Sequence, residues 1–304
     1  MHGSLCFKNG VLYVGRHLRT AHVRPYDVDG RALGPGFGFE SCAGGRASVH
    51  GLAVDEDHRF WIADGASGMV RAFTSFGREL ANVRGREPRA ADRAGSLGEV
   101  IDVDVTGVEL ESRVWIASAE RRRHAVQCFD RDGVLRASAR PLGDPQAEFH
   151  GVVRLTVSGR LVYVCEPAAG RIQVFRDDEF HFVIALPASD RPSGGFRPRC
   201  AAALADGRVV VAHGDVEAGV LAVLDGGGRT LQVLARAGVD TGDVLDPVDV
   251  VVDDRADDAR TRIAVLDRAG DRVQIFTLDG RCFGAFVELP EPQSRMPRRG
   301  ADRS

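Results

Sequence analysis

Three histidines, His2, His50 and His150, are each followed by glycine. They read as one position of an internal repeat. Neutral imidazole is a common zinc ligand, and three protein ligands with a fourth place open is the catalytic arrangement of that metal. Zinc is therefore the cofactor this trio could hold, and metal-dependent lysis or hydrolysis the chemistry it would serve. The same histidines also suit a plainer use, capping strands or hydrogen-bonding loop carbonyls.

A second repeat position carries Arg16, Asp64, Ser118, Glu166, His213 and Asp267. Glu166 and Asp64 are the candidate general bases or cation ligands beside the histidines. A carboxylate at such a point can equally tie down its own loop by accepting backbone N–H bonds. Asp64-Gly65 fits that use well, whereas Glu166-Pro167 and His213-Gly214 fit it less well. Arg16, Arg199, His213, Asp267 and Arg122 complete a candidate ligand-binding rim. Arg122 belongs to the run Arg121-Arg122-Arg123-His124, which with Arg197 and Arg199 could attract an anion, phosphate or RNA. No aromatic series for stacking bases accompanies it, so nucleic acid is the weakest partner, and a solvated loop accounts for the run as well. There is no P-loop, GxSxG elbow, HExxH or GxGxxG after a strand.

These residues can meet only if the repeat brings them together. The repeat runs apolar strand, turn, strand with a central aromatic, loop, then V-x-x-F and a turn glycine. Its clearest copy is Val49–Asp55, Phe60–Asp64 and Val70–Phe73, ending at Gly77. The second-strand position reads Tyr13, Trp61, Trp115, Tyr163, Val210, Ala264; the third-strand position reads Tyr26, Phe73, Phe129, Phe175, Leu224, Phe276. Four residues on stand Gly30, Gly77, Gly133, Glu179, Gly228 and Gly280, glycine in five of six copies. Copies lie roughly 46 to 56 residues apart, the length of a four-stranded propeller blade. One such sheet cannot bury both faces alone, so copies stack, and closing the circle protects the end blades.

The expected fold is therefore all-β: a single six-bladed β-propeller over 1–288, with four antiparallel strands per blade. Blades are expected near 1–41, 42–86, 98–141, 148–187, 197–236 and 246–288, with a disordered polar tail over 289–304. The register aromatics are expected between neighbouring blades. The starts of the innermost strands, read as His2, His50, Ile101, His150, Arg199 and Val248, should converge on one rim of the channel.

The chain has 304 residues, 44% of them hydrophobic, enough to bury a sizeable core. Forty basic against 43 acidic residues give a net charge of -3, which argues against binding nucleic acid through overall charge. Lys8 is the sole lysine, a composition expected of GC-rich coding. The six cysteines show no CxxC or finger spacing and most lie in apolar strand patterns, as expected of buried thiols in a reducing compartment. The opening Met1-His2-Gly3-Ser4-Leu5-Cys6 has no charged segment leading into an apolar run, and nothing later approaches a membrane span. A cytoplasmic protein with no membrane partner is expected.

His50-Gly51-Leu52-Ala53-Val54-Asp55 with Trp61-Ile62-Ala63-Asp64 resembles the opening of an NHL repeat. Arg171-Ile172-Gln173-Val174-Phe175 and Arg272-Val273-Gln274-Ile275-Phe276 resemble its third strand. That resemblance covers nearly the whole chain and implies the propeller fold. It leaves function open, because the family includes enzymes, RNA binders and protein-interaction platforms. A more distant likeness to the peptide-amidating lyase propeller implies zinc held by histidines at such positions, though here they fall in copies one, two and four. Recognition of a protein, peptide or small ligand at the rim is the leading expectation. A zinc-dependent lyase or hydrolase is the alternative, and RNA binding the third.

Overall fold

Period-two strands broken by turn glycines fold each repeat into four consecutive antiparallel strands, giving six four-stranded sheets. The computed structural model describes residues 3–17, 21–40, 47–83, 97–107, 112–120, 123–144, 147–190, 195–214, 218–254 and 257–286. Blade one comprises β1 (Gly3–Lys8), β2 (Val11–His17), β3 (Ala21–Tyr26) and β4 (Phe37–Phe39). Blade two holds β5 (Val49–Val54), β6 (Phe60–Asp64), β7 (Met69–Phe73) and β8 (Glu79–Val83). Blade three holds β9 (Glu99–Thr106), β10 (Arg113–Glu120), β11 (Arg123–Phe129) and β12 (Leu135–Ser138). Blade four holds β13 (Arg154–Ser158), β14 (Leu161–Glu166), β15 (Arg171–Arg176) and β16 (Glu179–Ile184). Blade five holds β17 (Pro198–Ala203), β18 (Val209–His213), β19 (Val220–Leu224) and β20 (Thr230–Arg236). Blade six holds β21 (Pro247–Asp253), β22 (Arg262–Asp267), β23 (Arg272–Phe276) and β24 (Cys282–Phe286).

The innermost strands β1, β5, β9, β13, β17 and β21 each touch the next, and β21 packs against β1. The ring thus closes face to face, with no strand exchanged between blades. No helix among the described residues is long and apolar enough to cross a membrane. The expected tail, 289–304, lies outside the described residues, as does Cys42. The other five cysteines are free, with Cys128, Cys165 and Cys200 buried.

The apolar core is six separate clusters, one per seam. The second-strand register residue of one blade meets the third-strand register residue of the next. Tyr13 packs at the seam with Phe73, Trp61 with Phe129, and Trp115 with Phe175. Tyr163 shares its seam with Leu224, Val210 with Phe276, and Ala264 with Tyr26. The rule is physical: a twisted sheet presents the middle of its inner strands to the neighbour, so the bulkiest side chains gather there. The turn glycines behave as their type requires. Gly77 and Gly228, for example, take φ of 77° and 92°, a region L side chains rarely enter. Blade four, which lacks the glycine, places its positive φ two residues earlier in the repeat, at Asp177 (φ 55°) between Arg176 and Glu179.

Candidate functional site

Strand pairing corrects the register of the histidines. In blade two, Gly51 pairs with Ala63, one residue before the latch carboxylate Asp64. In blade four, the residue opposite Cys165, one before Glu166, is Arg154, so Val153 stands where His50 does. In blade one, Ser4 pairs with Gly15, so the counterpart of His50 is Gly3 and not His2. In blade four the counterpart of Gly51 is Arg154, three positions beyond Gly151, so the two His-Gly dipeptides are not equivalent. Glycine and valine offer no metal donor, so the described residues do not fit zinc held at this register. His2 itself lies outside the described residues. His150 is exposed and uses its backbone N–H, not its ring, on Glu166.

Of the six residues expected at the rim, the register brings together His50, Ile101, Arg199 and Val248. His50 falls between the paired residues Val49 and Gly51, an extra residue opposite none. Ile101, Arg199 and Val248 are likewise the extra residues of bulges in blades three, five and six. A β-bulge breaks the alternation of side chains and re-aims the residue it carries. All four bulged residues line one cavity of about 280 Å³ at the end of the channel where the innermost strands begin. Val152 and Val153 of blade four, Gly3 of blade one, and Glu99 and Arg268 at the lip complete its wall.

The floor is Arg154. Its guanidinium crosses the channel, donating from Nη1 to the His50 carbonyl at 2.6 Å and to Asp102 Oδ1 at 3.0 Å. Nη2 donates to the Gly3 carbonyl at 2.8 Å and Nε to the Val248 carbonyl at 3.1 Å. One side chain of blade four thus ties blades one, two, three and six. Asp249 lies 3.5 Å from Nη2 and accepts from Ser4 Oγ and the Leu5 N–H, both at 2.8 Å. Burial works against the Arg154 cation, but Asp249 and Asp102 outweigh it and raise its pKa. Burial also pushes Asp102 up to about 6 despite Arg154. At the Arg154 register blade two carries Gly51, where a Cβ would come within 2.2 Å of Asp102 Oδ1. Only glycine lets that carboxylate approach.

Beyond Arg154 a second chamber of about 350 Å³ opens to the opposite end, lined by Asp102, Asp104, Asp249, Asp254 and Lys8. Burial raises Asp104 to about 7, its hydrogen bonds from the Val157 and Val105 N–H groups offsetting part of that. Sequence reasoning missed Arg154, Asp102 and Asp249. The available signal was a charge interrupting an apolar run, as in Val152-Val153-Arg154-Leu155 and Val248-Asp249-Val250.

The carboxylates that end the second strands are engaged in their own blades. Asp64, fully buried, accepts from the Ser48 and Ala66 N–H groups and faces Arg71 at 3.5 Å. Glu166, also fully buried, accepts from the His150 N–H, Arg171 Nε and Gln173 Nε2 at 2.6, 2.8 and 2.6 Å. Asp267 takes the N–H groups of Leu245 and Asp246 and pairs with Arg272. In these three blades the carboxylate latches the segment entering the innermost strand to the third strand. Arg16 departs from the pattern: buried, it reaches across the closing seam to Asp271 at 2.5 Å. Of the basic run, Arg121 and Arg122 lie outside the described residues.

His213 fills the latch position in blade five without a charge. Its ring packs edge-on against Phe196, 5.4 Å between centroids, and its buried Nδ1 has no hydrogen-bond partner. Burial lowers its pKa to about 4. A base whose folded pKa lies below its unfolded value of ~6.5 destabilises the fold as pH falls between the two, by up to about 3 kcal/mol. Asp102 and Asp104, raised, act in the opposite sense. The effect is therefore read by difference: His213→Phe should match wild type in urea melts at pH 7.5 and exceed it at pH 4.5. An equal loss in both proteins would contradict it.

His50 donates from Nδ1 to the Val100 carbonyl at 3.1 Å, which places the lone pair of the neutral ring on Nε2. Across the cup, Arg199 and Arg268 share one buried carboxylate, Asp246, at 3.3 and 2.7 Å.

No family model matches the chain, and no curated protein matches it by sequence. Solved structures do match it. A protein of unknown function from Bacteroides caccae aligns with a TM-score of 0.59 at 11% identity, over 91% of this chain and 93% of that chain. A streptogramin B lyase aligns at 0.57 and 13% identity, over 95% and 83%. A chain of a nidogen/laminin complex aligns at 0.60 and 15% identity, over 91% and 93%. Likeness at such identities is one of fold, and the fold is a six-bladed β-propeller with four antiparallel strands in each blade.

Proposed function

We propose that this chain is a recognition propeller of the NHL type that holds a small ligand or the end of a peptide in the cup above Arg154. The observation that carries this reading is the set of four bulges. Each one costs ladder pairing, and all four spend it on turning His50, Ile101, Arg199 and Val248 into the same cavity. Arg154 supports the reading further, because it makes the cavity blind and removes the option of a through-channel. The candidate bases Glu166 and Asp64 are already saturated by fixed donors, which favours binding over proton transfer. Propellers serve both roles, and the matched structures include a lyase and a chain from a protein complex.

A bulky residue in the wall tests the reading. Thermal melts of wild type and Val248→Trp are compared across a panel of amino acids, short peptides and organic acids. Some panel members should raise the wild-type melting temperature by a few degrees, through stabilisation of about 2.7 kcal/mol at a hundredfold excess over Kd, and Val248→Trp should lose that response. A panel that stabilises nothing, or stabilises both proteins alike, would end the proposal.

A further inference from the structure

We infer that the cup selects a zwitterion of amino-acid or short-peptide size, an inference that rests on the binding reading above and names its ligand class. In a six-bladed ring, blade two faces blade five across the axis and blade three faces blade six. The charged residues of the cup divide along that line. Arg199 comes from blade five and Arg268 from blade six. They are held by the single carboxylate of Asp246, so two cations are balanced by one buried anion and this side keeps a positive charge. Facing them, Glu99 opens β9 of blade three, exposed at the lip, and makes no ion pair among the described residues. His50 stands beside it from blade two.

Between the two poles the wall is apolar: Ile101, Val152, Val153 and Val248. Arg154 adds no free donor to the floor, since Nε and both amino groups already have acceptors. The cup therefore offers an anion site and a cation site on opposite walls, with a hydrophobic stretch between them. A molecule that carries a carboxylate at one end, an ammonium at the other and an aliphatic side chain matches all three features. The volume of about 280 Å³ is at the low end for small-molecule sites, which suits an amino acid or dipeptide better than a longer chain. Arg199 is the better placed of the two guanidiniums to donate to the carboxylate, because its distance to Asp246 is the longer one.

The test is calorimetric titration of the full chain with the standard amino acids and the dipeptides Ala-Val and Leu-Leu. For each binder, the N-acetylated and the C-amidated forms are then measured. A free zwitterion should bind, and blocking either end should weaken it at least about tenfold, as expected for losing a charge-assisted hydrogen bond. In Glu99→Gln the penalty for acetylation should vanish while that for amidation stays. In Arg199→Gln the reverse should hold. Equal binding of free and blocked forms would overturn the zwitterion and leave the cup as the binding site. So would binding of organic acids alone, if Val248→Trp abolished it. If no compound of either panel bound at the cup, the recognition reading itself would fall with it.

Discussion

Replacing Arg154 by methionine should cost about 3–5 kcal/mol, and more at pH 8 than at pH 5. Methionine keeps much of the side-chain length, so the loss is not mainly one of volume. It removes donors from the carbonyls of Gly3, His50 and Val248, contributed by three other blades. It also leaves the buried carboxylates of Asp102 and Asp249 without their counter-charge. The sign of the pH effect follows from those acids. Asp102 already sits at about 6, above its ordinary value, because burial outweighs its partner. Without Arg154 its folded pKa rises further. An acid raised in the folded state favours folding at low pH, and that contribution is lost as pH climbs through the folded value. Urea unfolding of R154M at pH 5 and pH 8 should therefore show the larger deficit at pH 8. An equal deficit at both would mean the guanidinium acts through packing alone. The small-ligand response should disappear as well, since the cup would lose its floor.

Trp61→Ala should destabilise by about 3–5 kcal/mol, the range for emptying a large buried aromatic site. The indole is fully buried at the seam between blades two and three, and its Nε1 donates to Asp55 at 2.9 Å. The seam architecture makes a sharper prediction. Phe129 belongs to the same cluster, so Trp61→Ala and Phe129→Ala should couple by about 0.5–3 kcal/mol. Phe175 belongs to the next seam, and Trp61→Ala with Phe175→Ala should add within about 0.5 kcal/mol. Double-mutant cycles from urea melts at neutral pH distinguish the two. Additivity in both pairs would show that the six clusters are not the energetic units of the ring.

The two registers of bulky residues were readable from the chain because they obey local rules. A strand centre that meets a neighbouring blade must be large and apolar, and a hairpin that reverses tightly favours glycine. Tyr13, Trp61, Trp115 and Tyr163 in the second strands and Tyr26 to Phe276 in the third follow the first rule, with Ala264 the small exception, and the glycines from Gly30 to Gly280 follow the second. Six repetitions of these rules specify the blade count and the interior of each seam. The latch carboxylates were visible too, as residues, though the donors that engage Glu166 come from positions that sequence leaves unpaired.

That His50, Ile101, Arg199 and Val248 would meet at one rim follows from the repeat, but the bulges that turn them into a cup and the Arg154 floor were decided by the tertiary structure. A bulge has no sequence signature here: a histidine, an arginine and two aliphatic residues occupy the position, and only the pairing of the neighbouring strand shows that each is an extra residue. Matching His-Gly dipeptides put His50 and His150 at one position, whereas strand pairing sets the counterpart of Gly51 at Arg154, three positions beyond Gly151. Arg154 is legible as a charge inside an apolar strand, yet its acceptors lie up to 151 residues away in four other blades. Seams are local and repeated, so the chain encodes them in its periodicity. The axis is where all six repeats meet once, and no single repeat records what the others bring to it.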